Sequence, residues 1–268
     1  MGRPFQFSKI YFRHYKHWFI PQLRSLFHPR PLKDGNYFGV PIIINNFNRY
    51  DKLLRLVDSL VSRGYHNIWI IDNGSTYPPL LEWYRKCPCR VILLHENAGH
   101  ISIFRLGLYK VFYGSYYAYT DSDLEIDPEC PADFMEKFIG LMKKYPKAVK
   151  VGFSLRIDDL PDCYAKKAEV IEWESQFWKN KVEDGVYSAT IDTTFAVYRP
   201  YFRGRLVCFG ELNLRTAPPY TMRHLPWYMD SANPTEEDRY YLSSIKTPTF
   251  WSERDGELLK DDSSQKDE

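Results

Sequence analysis

The segment "AYTDSDLE", residues 118–125, sets two carboxylates one residue apart, Asp121 and Asp123, at the end of the aromatic run "GSYYAYT". In a strand or the turn that leaves it, residues i and i+2 point to the same side, roughly 6–7 Å apart. Two like charges so placed repel unless a cation lies between them. A hard divalent ion with oxygen ligands, Mg2+ or Mn2+, relieves that repulsion and can bridge to phosphates, which complete its coordination. The bland alternative is a solvated loop with incidental acids, and the apolar strand in front of the pair favours the metal.

A second carboxylate lies in "VYSATIDTTFAVYRP", 186–200, which reads as one strand with Asp192 in its middle. An ionised Asp in so apolar a segment costs several kcal/mol unless it is paired or faces a cleft. Asp192 is therefore either a hydrogen-bonded structural residue or a catalytic, acceptor-binding one. Glu211, in "FGELNLRTAPPYTMRHLPWY", is the competing carboxylate.

The elements that must position these groups follow from periodicity. "VPIIINN" (40–46), "NIWIID" (67–72), "RVILLH" (90–95) and "YYAYTD" (116–121) read as strands, the first a continuous apolar run suited to a strand covered on both faces. Between them lie helical patterns: "YDKLLRLVDSLVSRGY", with Leu53, Leu56, Val57, Leu60 and Val61 on one stripe and Gly64 at its stop, then "PPLLEWYRKC" and "HISIFRLGLYKVF". Three β-α units in a row imply a parallel sheet, and ligands of such sheets bind outside the carboxyl ends of the strands. "NNFNR", "DNGST", "HENAG" and "DSD" all fall at those ends. One such cluster is an ordinary turn, whereas four on one sheet edge describe a polar pocket. The G-x-G-x-x-G and G-x-x-x-x-G-K-[ST] fingerprints are absent, so a nucleotide would be held by another design.

Composition bounds the rest. The 268 residues, 44% hydrophobic and 17% aromatic, suffice for one large α/β domain with a full core. Five cysteines without paired C-x-x-C sets argue against a disulfide framework or a structural zinc site. With no apolar run long enough to span a bilayer and no signal-peptide pattern, a cytoplasmic location is expected. Residues 1–33 carry seven Lys/Arg and no acid, so under an overall charge of +2 the remainder carries −5. From 252 to 268 the chain is a polar tail, read as disordered.

The stretches "PIIINNFNRYDKLLRLVDSL", "IWIIDNGSTYPPLLEWY", "ENAG" and "YTDSDLEI" together resemble the glycosyltransferases of the GT-A fold, related to the family 2 group, over about residues 38–230. The resemblance implies a Rossmann-like, mostly parallel sheet flanked by helices, in a single domain at 36–251. Residues 36–125 would be its nucleotide-sugar half and 126–251 its acceptor half. It also implies a nucleoside diphosphate sugar donor, a uridine diphosphate sugar favoured, and a D-x-D motif holding Mn2+ or Mg2+ against the diphosphate. By position, Asn46, Asn48 and Arg49 follow the first strand, Asp72 and Asn73 face the nucleoside, and Asn97 and Gly99 lie beside the diphosphate. Asp121 approaches the ribose and the metal, Asp123 holds the metal, and Arg105 is the candidate basic residue of the fourth loop. His224 resembles a late histidine used as a further metal ligand, bracketed by Arg215 and Arg223, which could meet phosphates.

The expected activity is metal-dependent transfer of a sugar to a glycan or lipid-linked acceptor, inverting, with Asp192 or Glu211 as base. A nucleotidyltransferase making a sugar nucleotide would show a Gly-rich basic loop where this chain has "NNFNRY", and a non-catalytic carbohydrate- or nucleotide-binding module would not need intact Asp121, Asp123 and His224. Trp173, Phe177, Trp178, Trp227 and Tyr228 read as core before sugar platforms. The basic, aromatic arm at 1–35 suits peripheral contact with an anionic membrane through residues 1–30, a helical arm packed on the protein being the rival reading, and the acidic body argues against nucleic acid.

Overall fold

The computed structural model describes residue 32, residues 35–201 and residues 212–245. The arm at 1–30, the tail at 252–268 and Glu211 lie outside the described residues.

Four parallel strands form the first half: β1 (Ile42–Asn46), β2 (Ile68–Asp72), β3 (Arg90–Leu93) and β4 (Tyr117–Asp121). They lie in the order β3-β2-β1-β4. β1 is buried along its whole length. Its Ile42 and Ile44 pack into one core with Leu53, Leu56 and Leu60 of α1 (Asp51–Val61), while Ile43 joins Ile71, Tyr117 and Tyr119 in a second core on the other face. That two-faced burial is why β1 reads as an unbroken apolar run, and each buried Ile contributes about 1.5–3 kcal/mol. α1 ends at Val61, and the turn that follows it closes on Gly64, whose φ of +88° suits glycine.

α2 (Pro78–Tyr84) forms where expected. The continuous helix expected over "HISIFRLGLYKVF" does not. It is one helical turn, α3 (Ser102–Arg105), followed by a 3-10 turn at Leu108–Val111, with Gly107 between them at φ +71°. A left-handed residue cannot continue the helical hydrogen-bond ladder, so the stripe seen in the sequence is split.

The second half adds β5 (Leu124–Ile126), α4 (Phe134–Lys144), β6 (Ala148–Leu155), α5 (Lys167–Ser175), β7 (Lys181–Glu183), β8 (Val186–Ser188), β9 (Ala196–Tyr198), β10 (Leu212–His224) and α6 (Glu236–Ser244). The sheet continues from β4 through β9, β6, β10 and β8 to β7, with β5 paired to β10. β9 runs antiparallel between β4 and β6, and β10 runs parallel to β6. The register of β10 on β6 shifts between Thr216 and Thr221, where Pro218 and Pro219 can donate no ladder hydrogen bond. Beyond that irregularity β10 pairs with β5, opposing His224 to Leu124.

The single strand expected over 186–200 is two strands, β8 and β9, in separate places in the sheet. Asp192 lies in the loop between them, exposed. An ionised carboxylate inside a buried strand would lose its water without a partner, so the chain leaves the sheet where Asp192 falls.

Candidate active site

The parallel register brings the carboxyl ends of β1, β2 and β4 side by side, with Asn46 opposite Asp72 and Asn45 opposite Asp121. Asn45, which the sequence reading passed over, is the hub. Its Oδ1 accepts from Asn73 Nδ2 at 2.7 Å and from Ser102 Oγ at 2.6 Å, and its side chain also hydrogen-bonds Asp121. The one available signal was the polar pair Asn45-Asn46 closing a run of isoleucines, since adjacent strand positions face opposite sides and both are buried here.

Around Asp121 the acids converge. Burial first, then the charges of Asp123 and Asp192, push its carboxyl well above the ordinary range, against the hydrogen bonds from Thr193 and Asn45. Asp123 is held beside β10: its carbonyl accepts from the Leu225 amide at 2.8 Å, and its Oδ1 lies 3.7 Å from His224 Nε2. The His224 ring meets Trp227 edge-on, with centroids 4.5 Å apart, and its Nδ1 is buried without a hydrogen-bond partner among the described residues. Burial lowers the imidazole pKa, with Arg49 and Lys52 acting in the same direction and Asp123 opposing, which keeps the ring neutral. Among the described residues no three His, Cys, Asp or Glu side chains close into a metal cage. A carboxylate and a neutral imidazole at hand, beside a second carboxyl lifted by burial and then by like charge, are nonetheless the donor set a divalent ion takes with other ligands from substrate oxygens.

A model of the family described as Glycosyl transferase family 2 matches residues 42–204. The chain belongs to that family. Its fold is accordingly GT-A, with the mixed sheet described above. No curated protein sequence matches the chain. Among solved structures it is similar to GalNAc-T7 crystallised with UDP, GalNAc and Mn2+, at 16% identity and a TM-score of 0.44 over 69% of this chain and 42% of that one. It is also similar to S. aureus TarS 1-349, at 11% identity and a TM-score of 0.43 over 84% and 72% of the two chains. Glucosyl-3-phosphoglycerate synthase from Mycobacterium tuberculosis follows at 15% identity and a TM-score of 0.39, over 64% and 63%. The chain thus spans less than two thirds of the first and third of these proteins.

In this family 2 domain the remaining residues expected at the site take distinct places. Asp72 is buried, its Oδ1 accepting from the Ser75 amide and its Oδ2 from the Tyr84 hydroxyl, each at 2.8 Å. Asn73 is buried as well and accepts from the Ala98 amide. Asn46 donates to the same Tyr84 hydroxyl at 2.9 Å. Asn48, left-handed at φ +49°, accepts from the amides of Thr76 and Tyr77 and donates to Ser244, tying the first two loops to α6. Asn97 is exposed and accepts from the Gly99 amide at 2.7 Å. Arg105 is also exposed, and its guanidinium covers Gly99.

The arginines differ from expectation. Arg49 is buried, bonded to Asp238 at 2.7 Å with its guanidinium 3.6 Å from the Tyr241 ring centroid. Arg215 is buried against Glu174 at 3.0 Å, and Arg223 is paired with Asp159. Arg215 and Arg223 therefore do not bracket His224 as free phosphate ligands; their carboxylate partners already hold them. Of the aromatics, Trp227 is core, but Trp173 is 53% exposed and meets Phe177 edge-on.

Helix α6 was not foreseen as part of this site. Glu237 accepts from the amides of Tyr50 and Asp51 at the start of α1, and Tyr240 donates to Thr76 in the β2 loop. The signal for it was "TEED": Thr235 caps the helix by accepting from the Asp238 amide, as a Ser/Thr three residues before an acid often does.

Proposed function

We propose that the domain transfers a sugar from a nucleoside diphosphate sugar, a uridine diphosphate sugar favoured, to a hydroxyl of a glycan or lipid-linked acceptor, with inversion. The observation that carries the reading is the meeting of Asp121, Asp123, Asp192 and His224 at one end of the sheet. Asp123 and His224, with Asp121 beside them, would hold Mn2+ or Mg2+. When bound, that ion neutralises the charge developing on the leaving diphosphate. Asn45 and Asn73 hold the loops that wall the donor, and Asp121 reaches the ribose side. Asp192, exposed beside Asp121, takes the proton of the acceptor hydroxyl as that oxygen attacks the anomeric carbon and the bond to the diphosphate breaks. Glu211 is the alternative base.

The test is nucleotide release from a panel of sugar nucleotides, with and without glycan acceptors, in Mn2+ and in excess chelator. Release that needs both metal and acceptor supports transfer; pyrophosphate-dependent sugar-nucleotide synthesis, or no turnover with any donor, would overturn it. No helix among the described residues is long and apolar enough to cross a membrane. Membrane contact through residues 1–30 is proposed from their charge and aromatic content alone, and co-sedimentation with anionic liposomes that persists without that arm would count against it.

A further inference from the structure

Asp192 is the one exposed residue between Ile191 and Tyr198. Beneath it, four consecutive backbone carbonyls turn inward. Thr190 O accepts from Arg215 Nε at 2.8 Å, Ile191 O and Asp192 O both accept from Lys150 Nζ, and Thr193 O accepts from the Asp121 amide at 3.0 Å. Lys150 and Arg215 come from neighbouring strands, Lys150 opposite Asn213 and Arg215 opposite Gly152. Between them Gly152 leaves room for the loop: a Cβ there would stand 2.2 Å from Phe195 O. Both cations are almost wholly buried, 2% and 3% exposed, and Arg215 is backed by Glu174.

A buried cation is an expensive way to gain stability, since apolar residues of similar volume often do as well. Its particular capacity is to fix carbonyls in one orientation. With the peptide planes at 190–193 pinned from inside, the Cα–Cβ bond of Asp192 is held in one direction on the exposed side of the loop, next to the Thr193 carbonyl that accepts from the Asp121 amide. We propose that Lys150 and Arg215 are positioning residues that aim Asp192 at the acceptor, an inference resting on the reading of Asp192 as base.

Nucleotide release by the full chain, with Mn2+ and the preferred sugar nucleotide, tests it in two backgrounds. Lys150→Met should lower kcat by about 10²-fold, the cost of a misplacement of order 1 Å. Calorimetric binding of UDP should be unchanged. In an Asp192→Asn background the same substitution should add no further loss, because the two residues act as a unit. Equal losses in both backgrounds, or full turnover by Lys150→Met alone, overturn the proposal while leaving the base assignment standing. Full turnover by Asp192→Asn sinks the base assignment and this proposal with it. Should Lys150→Met fail to fold, Arg215→Lys, which keeps the charge and loses the Nε bond to Thr190, goes through the same comparison with the same outcomes.

Discussion

Arg49 Nη1 lies 2.7 Å from Asp238 Oδ1, joining the loop after the first strand to a helix 189 residues later in the chain. Lys52 bonds the same carboxylate at 2.6 Å and Glu237 at 3.2 Å, so two cations and two anions are buried together where the first turn of α6 meets the start of α1. The arrangement uses the carboxylates of α6 to neutralise charges that the loop after β1 and the start of α1 would otherwise have to bury alone. It ties α6, the last helix among the described residues, to the loop after β1.

Removing one partner of such a cluster leaves the others buried and uncompensated. Asp238→Ala should therefore destabilise the protein by about 3–5 kcal/mol, near the lower end because Glu237 still pairs Lys52. Urea denaturation checks the value. A loss under about 1 kcal/mol would mean that the pair is solvated, as surface pairs are.

The same carboxylate sets an acid limit. Burial alone would raise the Asp238 pKa, but Lys52 and Arg49, with hydrogen bonds from Lys52 and Thr235, bring it from the ordinary 3.8 to about 2. A group whose pKa is depressed by folding stabilises fully above its unfolded value and loses that contribution as pH falls through the folded one. Asp238 should thus contribute about 2 kcal/mol above pH ~4, lost by pH ~2. Stability measured across that window should fall less steeply in Asp238→Asn, and an unchanged slope would assign the acid sensitivity elsewhere.

At the proposed metal site, Asp123→Ala should abolish Mn2+- or Mg2+-supported turnover and weaken UDP binding measured in Mn2+. His224→Ala should shift the Mn2+ concentration for half-maximal rate upward, because a neutral imidazole 3.7 Å from Asp123 is lost. Undiminished turnover of the native enzyme in excess chelator, or an unmoved Mn2+ requirement in His224→Ala, would remove the corresponding ligand assignment.

The first half was legible because its signals are local. Ile42–Asn46 announces a strand by composition and Leu53, Leu56 and Leu60 announce a helix by spacing, so the sheet edge carrying Asp72 and Asp121 followed from the alternation. What the sequence hid depends on distance along the chain. Nothing near Arg49 points to Asp238, and nothing near Arg215 or Arg223 points to Glu174 or Asp159, so Arg49 looked like a nucleotide-side residue and Arg215 and Arg223 looked available for phosphate, when all three are paired with carboxylates. Asp192 was found as a residue but misplaced in a strand: the apolar run on either side of it outweighed the cost of its charge in the pattern, though not in the fold.

Asp72 offers the sharpest distinction between contact and scaffold. Both of its oxygens are engaged, by the Ser75 amide and the Tyr84 hydroxyl, and burial followed by the Asp72 charge raises the Tyr84 pKa far above the phenol range, so that hydroxyl stays a donor. Asp72→Ala should weaken UDP binding whether the carboxylate touches the nucleoside or only shapes its loop. Tyr84→Phe separates the two, because it removes the hydroxyl's two hydrogen bonds, to Asp72 and from Asn46, at about 1–3 kcal/mol of stability each, and leaves the carboxylate in place. If Asp72 contacts the nucleoside, Tyr84→Phe frees Oδ2 and should leave UDP affinity equal or tighter while lowering Tm. If Asp72 only holds the turn, affinity and Tm should fall together, and calorimetry with UDP alongside thermal denaturation of both variants decides which.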